Sequence, residues 1–264
     1  GANGEYLFTN LIPGTYSVAF VAPAGYEFTQ QDSGANASDS DAHTVTGETE
    51  QTVLESNESD RTWDAGLVQR AHLGDTIWED SNANGQQDEG EAGIANVVVE
   101  LKDANGNVVA TTTTDANGTY GFDVLPGTYS VSVTAPAGYV ITAANQGNDA
   151  GESDIDGNGQ TGQYTLASGE TNNTADGGLY RTAELGDRVW LDSNGNGQQD
   201  SGEAGVENVT VHLKDANGNI VATQTTGANG EYLFTNLIPG TYSVAFVAPA
   251  GYEFTQQDSG ANAS

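Results

Sequence analysis

Two acidic segments of almost identical sequence carry the side chains best suited to chemistry, DSNANGQQDEGE at residues 80–91 and DSNGNGQQDSGE at residues 192–203. Each segment places side-chain oxygens at alternate positions, a glycine at its sixth position and a glutamate at its twelfth. An EF-hand calcium loop has oxygen ligands at positions 1, 3, 5, 7, 9 and 12, glycine at position 6 and a final glutamate that gives two oxygens. The spacing therefore predicts a calcium-binding loop in each segment.

The candidate ligands occupy the same register in both loops, with the glutamine at position 7 giving its backbone carbonyl. The two sets are Asp80, Asn82, Asn84, Gln86, Asp88 and Glu91, and Asp192, Asn194, Asn196, Gln198, Asp200 and Glu203. Two carboxylates 4 Å apart repel by about 4 kcal/mol at an effective dielectric constant near 20, so a cation would stabilise such a loop. Zinc prefers histidine or cysteine, and magnesium requires stricter octahedral geometry. Calcium is the predicted cofactor, and a solvated acidic turn without metal is the alternative.

A partial match to the same pattern lies at residues 154–160, DIDGNGQ. Asp154, Asp156 and Asn158 stand where positions 1, 3 and 5 of a calcium loop would be, but position 12 is Thr165. We predict these three residues as further metal ligands, with an ordinary polar loop as the alternative.

The aspartates of two LGD motifs, Asp75 and Asp187, have two interpretations. Each is either the ligand of a further ion or the cap of a turn. The turn is the favoured interpretation of both residues.

Internal repetition defines the elements that must position these loops. Residues 1–38 recur identically at 227–264, and residues 73–111 match 185–223 at an offset of 112. The predicted units are the C-terminal part of a repeat at 1–71, a complete repeat at 72–183 and the N-terminal part of a repeat at 184–264. They are called the first, central and third units below.

The repeated unit reads as strands separated by turns. The segment VVVEL at 97–101 alternates, which places Val97, Val99 and Leu101 on one face. DANG sequences mark turns, and TYGFDVLPGTYSVSV predicts two strands joined by a Pro-Gly turn. No segment has helical periodicity with caps. We therefore predict an all-β fold of tandem β-sandwich domains of immunoglobulin or prealbumin type, joined by short linkers.

Composition excludes several classes of function. The net charge is −31, with 6 Lys and Arg against 37 Asp and Glu, which predicts no nucleic-acid partner because phosphate contacts need basic side chains. No apolar run approaches the roughly 20 residues of a membrane span. The histidines do not recur, since His72 aligns with Glu184 and His212 with Glu100. We therefore predict no enzymatic activity and no small-molecule substrate.

The motifs GDxxWxDxNxNGxQDxGExG, VxVxLxDxxG, YxFxxLxPGxYxV and a closing GLY occur in this order. With them the units resemble the SdrD B-like domains of bacterial surface proteins. The resemblance implies a prealbumin-like β-sandwich, several calcium ions per domain and tandem arrays that act as a rigid stalk. It maps the first calcium loop of the family onto residues 80–91 and 192–203.

These observations together predict a calcium-rigidified structural repeat, a stalk or spacer, of a bacterial extracellular adhesin or surface fibre. The alternative is a self-assembling subunit of an extracellular matrix filament. The expected partners are the neighbouring repeats of the same chain. If the chain self-assembles into a filament, further copies of the chain are also partners. The expected location is extracellular or at the cell surface.

Overall fold

The computed structural model describes residues 1–35 and 38–257, in which all regular structure is β-strand. No helix is formed within these two ranges, which confirms the predicted all-β fold. Residues 258–264 of the predicted third unit, and residues 36–37 of the first, lie outside the described residues.

The described residues form eighteen strands, which fall into three groups along the chain. The first unit contains β1 (Gly14–Tyr16), β2 (Glu27–Phe28), β3 (Thr52–Leu54) and β4 (Leu67–Val68). The central group is β5 (Ala71–Glu79), β6 (Val98–Asp103), β7 (Val108–Thr113), β8 (Thr119–Val124), β9 (Gly127–Thr134), β10 (Tyr139–Ile141), β11 (Tyr164–Leu166), β12 (Thr171–Asn172) and β13 (Gly177–Arg181). The third group is β14 (Ala183–Arg188), β15 (Thr210–Lys214), β16 (Ile220–Thr225), β17 (Glu231–Leu237) and β18 (Ser243–Val247).

The central unit is a sandwich of two sheets. One sheet has the order β10-β13-β5-β12, with β8 also paired to β5, and the other has the order β11-β9-β6-β7. A single buried core takes side chains from both sheets, among them Leu73, Ile77, Val99, Leu101, Phe122, Val131 and Leu179. Each such side chain contributes about 1.5–3 kcal/mol when fully buried. The predicted β-sandwich is confirmed.

The alternation in β6 orients its side chains as the sequence predicts. Val97, Val99 and Leu101 are fully buried, whereas Val98 is exposed. The Pro-Gly turn that follows β8 has a second role, because β8 pairs with β5 and β9 pairs with β6. This turn therefore carries the chain from one sheet of the sandwich to the other.

The flanking units repeat parts of this arrangement. In the third unit β14 pairs with β17, and β15 lies between β16 and β18. A smaller core there contains Val211, Leu213 and Phe234. In the first unit β1 pairs with β3 and β2 pairs with β4, the pairings that β9 with β11 and β10 with β13 form in the central unit.

Candidate metal centre

The first predicted calcium loop, residues 80–91, follows β5 directly and is closed by a contact between the strand end and the chain that leaves the loop. Trp78 and Gly93 form a β-bridge, and the Glu79 N–H donates to the Ala92 carbonyl at 2.9 Å. A Cβ on Gly93 would lie 1.7 Å from the Asn117 carbonyl oxygen, so only glycine fits this close approach. The loop thus begins and ends on a rigid part of the sandwich.

Asp80, the first predicted ligand, is fully buried at the base of this loop. Its carboxylate accepts hydrogen bonds from the Asn84 N–H at 3.1 Å and the Gly85 N–H at 2.8 Å. The Thr142 hydroxyl, which follows β10, donates to the same carboxylate at 2.6 Å. Gly85 has φ of 81°, and a Cβ there would lie 2.4 Å from the Ala143 carbonyl oxygen. The sixth-position glycine is therefore required both by its backbone conformation and by packing.

The polar side chains of the loop converge on one another. The amide groups of Asn82 and Asn84 donate to Asp88 Oδ2 at 2.7 Å and 2.9 Å. Glu91 returns to the start of the loop, with Oε1 accepting from the Ser81 N–H at 2.7 Å and Oε2 from the Asp88 N–H at 3.0 Å. The structure brings together the side chains predicted at positions 3, 5 and 9, whereas those at positions 1 and 12 accept from backbone N–H groups of the same loop. For Gln86, the seventh-position residue, the backbone N–H donates to Asn84 Oδ1 at 2.7 Å.

The second loop, residues 192–203, has the same geometry. The Asn194 and Asn196 amides both donate to Asp200 Oδ2 at 2.8 Å. Glu203 accepts from the Ser193 N–H at 2.8 Å and from the Asp200 N–H at 3.0 Å.

Backbone donors also surround the first-position aspartate of this second loop. Asp192 accepts from the Gly197 N–H at 2.7 Å, and the pKa of Asp192 is lowered, chiefly by this bond. The Gln198 N–H donates to Asn196 Oδ1 at 2.7 Å. The repeated loop therefore keeps its shape although its surroundings differ.

The three residues of the partial motif do not act as one group. Asp156 caps an exposed turn, where Oδ1 accepts from the Asn158 N–H at 2.9 Å and the Gln160 N–H at 3.0 Å. These bonds lower the pKa of Asp156, with the bond from Gln160 the largest cause. Asp154 instead gathers with Asp149 and Glu152, and the ligand oxygens of these three residues lie within 4.8 Å of one another. Asp156 and Asn158 are not part of this acidic cluster.

A further buried carboxylate lies beside the acidic cluster, that of Asp176 immediately before β13. Its backbone N–H donates to Asp154 Oδ2 at 2.9 Å, and its Oδ1 accepts from the Thr76 N–H at 3.2 Å. Burial and, after it, the negative charge of Asp75 raise the pKa of Asp176 to about 7. Burial likewise raises the pKa of Asp154 to about 6. Within residues 1–35 and 38–257 no basic side chain forms an ion pair with these carboxylates, the condition in which a carboxylate takes up a proton or a cation.

The first unit builds the same contacts from a different sequence. The Asp64 N–H donates to Asp41 Oδ2 at 2.7 Å, as the Asp176 N–H does to Asp154. Burial again raises the pKa of Asp41. Asp39 Oδ1 is a buried oxygen without a hydrogen-bond partner in the part of the chain that the structure describes. The paired aspartates are therefore a feature of both units.

Sequence reasoning did not identify Asp149, Glu152 and Asp176 as members of one group. A signal exists in the shared Ser-Asp pair, DSD at 39–41 and ESD at 152–154. In both units the serine hydroxyl oxygen accepts a hydrogen bond from a glycine N–H near the last strand, Gly66 to Ser40 and Gly178 to Ser153, each at 3.1 Å. Aligning the units on this pair would have brought the acidic residues into register.

Comparison with known proteins places the chain in a family. The sequence profile of the SdrD B-like domain matches residues 1–67, 71–179 and 183–264. Serine-aspartate repeat-containing protein F of Staphylococcus epidermidis is 43% identical over 263 residues, which are 98% of this chain and 15% of that protein. Serine-aspartate repeat-containing protein D of Staphylococcus aureus (strain Newman) is 43% identical over 264 residues, which are 98% of this chain and 19% of that protein. The chain thus spans only a small part of these relatives.

Solved structures resemble the chain more distantly. The Bacillus anthracis TIE protein is 19% identical with a TM-score of 0.38, and the match covers 94% of this chain and 38% of that one. The shaft pilin spaA from Lactobacillus rhamnosus GG is 14% identical with a TM-score of 0.26, and the match covers 70% of this chain and 90% of that one.

Both relatives are serine-aspartate repeat-containing proteins of staphylococci. The predicted extracellular or cell-surface location is confirmed, and the chain is a structural repeat of a cell-surface protein. Among the described residues, no helix has the length and apolar character needed to cross a membrane. The predicted family resemblance is also confirmed: the chain belongs to the SdrD B-like domain family.

Proposed function

We propose that calcium binds the loops at residues 80–91 and 192–203 and rigidifies each repeat as part of an extracellular stalk. The observation that carries this proposal is the calcium-loop spacing of two segments of the same chain, which fold with the same side-chain contacts to Asp88 and Asp200. Asp80, Asp88 and Glu91 bring three carboxylates into one short loop, and their only neutralising contacts among the described residues are N–H and O–H donors. A hard dication with six to eight oxygen ligands matches such a donor set.

The loop is also attached to the long segment that carries the acidic cluster. The Gln87 N–H donates to the Gly151 carbonyl at 2.8 Å, and the Ser153 N–H donates to the Gly85 carbonyl at 3.0 Å. Gln86 and Glu152 form an isolated β-bridge. A cation that fixes the loop at residues 80–91 would therefore also order the segment that holds Glu152.

A second ion at the acidic cluster is part of the same proposal. Asp149, Glu152 and Asp154 offer three oxygens, and the raised pKa values of Asp154 and Asp176 mark negative charge that the protein alone leaves uncompensated. This region connects the long segment with β13 and β5. Asp176 lies next to β13, contacts Asp154 of the long segment and is hydrogen-bonded to Thr76 of β5. A cation there would hold the long segment against the five-stranded sheet.

Calcium stoichiometry and one substitution test the loop site. Glu91→Gln keeps the size of the side chain but removes the charge of the twelfth-position ligand. The calcium dissociation constant of this loop, measured by calorimetry, should rise by about tenfold or more, because the ion loses a charged ligand. A tenfold rise corresponds to a loss of about 1.4 kcal/mol of binding free energy. The loop at residues 192–203 serves as the internal reference, because its calcium affinity should not change.

Glu89→Gln is the matched control for this substitution. Glu89 lies two residues away at the tenth position, which is not a ligand position, and it is exposed. It removes the same charge from the same loop. An equal loss of calcium affinity in the two variants would mean that only the net charge of the loop matters, which would contradict the assignment of Glu91 as a ligand.

A second candidate function is self-assembly into a filament. It is favoured by the edge strands of the four-stranded sheet of the central unit and of the corresponding three-stranded sheet of the third unit. β7 and β16 lie at sheet ends, and neither VVATTT nor IVATQT contains a charge or a proline. Val109 and Val221 are half-exposed. Exposed edge strands without charge or proline are templates for pairing with another chain. Such pairing would join second copies of the chain side by side.

Analytical ultracentrifugation tests this association. A Val109→Lys/Val221→Lys variant should sediment as a monomer at concentrations where the parent chain forms larger species, because charged edges repel. The matched control is Val21→Lys/Val45→Lys, which adds the same charge at exposed positions outside the strands. A monomeric parent chain at all concentrations would reject the filament.

A further inference from the structure

The joint between the first and central units is crossed by one arginine side chain. Arg70, in the linker between β4 and β5, donates from Nε to Glu27 Oε1 at 2.6 Å and from Nη2 to Glu27 Oε2 at 3.2 Å. Its Nη1 donates to the Asp123 carbonyl oxygen in β8 at 3.1 Å. Two parallel bonds to one carboxylate fix the orientation of a guanidinium group. Arg70 therefore links β2 of the first unit to β8 of the central unit.

Other polar contacts strengthen the same joint. The Gln69 N–H donates to the Ser168 hydroxyl oxygen at 2.9 Å. His72 Nδ1 lies 2.8 Å from Asp123 Oδ1. Asp123 therefore contacts His72 through its side chain and Arg70 through its backbone carbonyl. We call the contact of Glu27, Arg70 and Asp123 the joint clamp.

The next joint along the chain carries its arginine one position earlier. GLVQRAHLGD at 66–75 aligns with GLYRTAELGD at 178–187, so Arg181 replaces Gln69 and Thr182 replaces Arg70. A shift of one residue in an extended segment turns a side chain to the opposite face.

The shifted arginine is held within its own unit. The Arg181 guanidinium lies 4.6 Å from the centroid of the Tyr139 ring, and its Nε lies 3.7 Å from Glu79 Oε1. Both partners belong to the central unit. Among the described residues, no hydrogen bond joins Arg181 to the third unit.

The remaining positions of the clamp are also replaced at this second joint. Val140 stands at the position of Glu27, and Thr235 at the position of Asp123. The strand pairing itself changes there, because β14 and β17 shift register between Ala183 and Leu185. The third unit then restores the glutamate, with Glu253 at the position of Glu27.

We propose that the array contains two kinds of joint, a stiff joint clamped by Glu27, Arg70 and Asp123 and a more compliant joint at Thr182 that lacks the clamp. The array then bends preferentially at the second kind. This inference goes beyond the calcium proposal, because none of the clamp residues is a predicted calcium ligand. Arg70 and Glu27 are half-exposed, so salt should weaken the clamp by screening.

Spin labels test the two joints separately, because the chain has no cysteine of its own. Ala24, Ala137 and Ala250 occupy the same exposed turn in the three units. An Ala24→Cys/Ala137→Cys pair spans the clamped joint, and an Ala137→Cys/Ala250→Cys pair spans the other. Inter-label distance distributions would be recorded by pulsed EPR in saturating calcium at an ionic strength of about 0.1 M and about 1 M, where the Debye length is about 10 Å and about 3 Å.

The clamped joint should give the narrower distribution at low salt and broaden about twofold at high salt, while the other joint stays unchanged. Arg70→Thr should broaden the clamped joint at low salt, whereas the control Arg61→Thr, an exposed arginine of the same unit, should not. Val140→Glu/Thr182→Arg should narrow the second joint. Equal widths at both joints in low salt, no effect of Arg70→Thr, or no narrowing by the double variant would each overturn the proposal.

Discussion

Removal of calcium is expected to lower the melting temperature of the chain by on the order of 10 °C. A ligand that binds only the folded state stabilises it by about 1.4–2.7 kcal/mol per site when its concentration is 10–100 times its dissociation constant. Extracellular calcium modules have dissociation constants of about 10⁻⁴–10⁻³ M, so about 10 mM calcium reaches this range. Two sites in the central unit would contribute about 3–5 kcal/mol, and each kcal/mol shifts melting by about 2–4 °C in a chain of this size.

The measurement combines thermal unfolding with small-angle scattering in calcium and in EGTA. Loss of calcium should also broaden the scattering-derived size distribution, because the 140–163 segment is attached to the loop through Gln87 and Ser153. Excess magnesium in EGTA is the control for ionic strength and should restore little stability, since magnesium dehydrates reluctantly and demands octahedral geometry. An unchanged melting temperature together with an unchanged scattering profile would reject calcium rigidification.

The strands and the loops at 80–91 and 192–203 were predictable because their signals are local. Alternation at Val97, Val99 and Leu101 reports a strand with one buried face, and the structure buries all three. The spacing from Asp80 to Glu91 is set by the geometry of a single short loop. Each of these patterns is complete within about twelve residues, so no knowledge of the tertiary fold was needed.

The acidic cluster was less predictable because its members come from distant segments. Asp176 meets Asp154 across an interval of 22 residues, and it meets Thr76 across 100. Asp156 has the local signature of a ligand, but an aspartate two residues before Asn-Gly serves equally well to cap a turn by accepting from the backbone N–H groups that follow it. The same use of aspartate recurs at Asp103, which accepts from the Asn105 and Asn107 N–H groups at 2.9 Å. Sequence spacing alone cannot distinguish a capping aspartate from a ligand.

The conformation of the joint between units also depends on information that spacing does not carry. A short linker predicted closely joined domains, and the linker sequences QRA and RTA differ little in composition. Their difference lies in which side of an extended segment faces the neighbouring unit, and that depends on the register of β5 and β14. The structure is needed to show that Arg70 contacts Asp123 in the unit that follows it, whereas Arg181 contacts Tyr139 in the unit that precedes it.

The calcium-free chain should become less stable as the pH rises from about 5 to about 8. The pKa of Asp154 is raised from 3.8 to about 6 and that of Asp176 to about 7, in both cases mainly by burial. The folded state therefore binds protons at these carboxylates more tightly than the unfolded chain does. This contribution to stability is complete at low pH and is lost as the pH passes through the two folded-state pKa values.

Urea unfolding at constant ionic strength, repeated across this pH range in EGTA, measures the effect. Asp176 is only 2% exposed, and a shift of one pKa unit corresponds to about 1.4 kcal/mol, so after allowance for screening we expect a decline of about 1–2 kcal/mol. Asp176→Asn should flatten the profile. The matched control Asp156→Asn should not, because the pKa of the exposed Asp156 is lowered and its titration lies below this window.

Calcium should reverse the sign of this dependence. The cation binds the ionised carboxylates, so protons compete with it and its affinity falls as the pH is lowered. In saturating calcium the free energy of unfolding should then rise between about pH 5 and pH 8, where the calcium-free chain loses stability. If the two profiles run in parallel, Asp154 and Asp176 are buried acids without a part in cation binding. If they diverge as the pH rises, the buried carboxylates that destabilise the calcium-free chain take part in binding the cation.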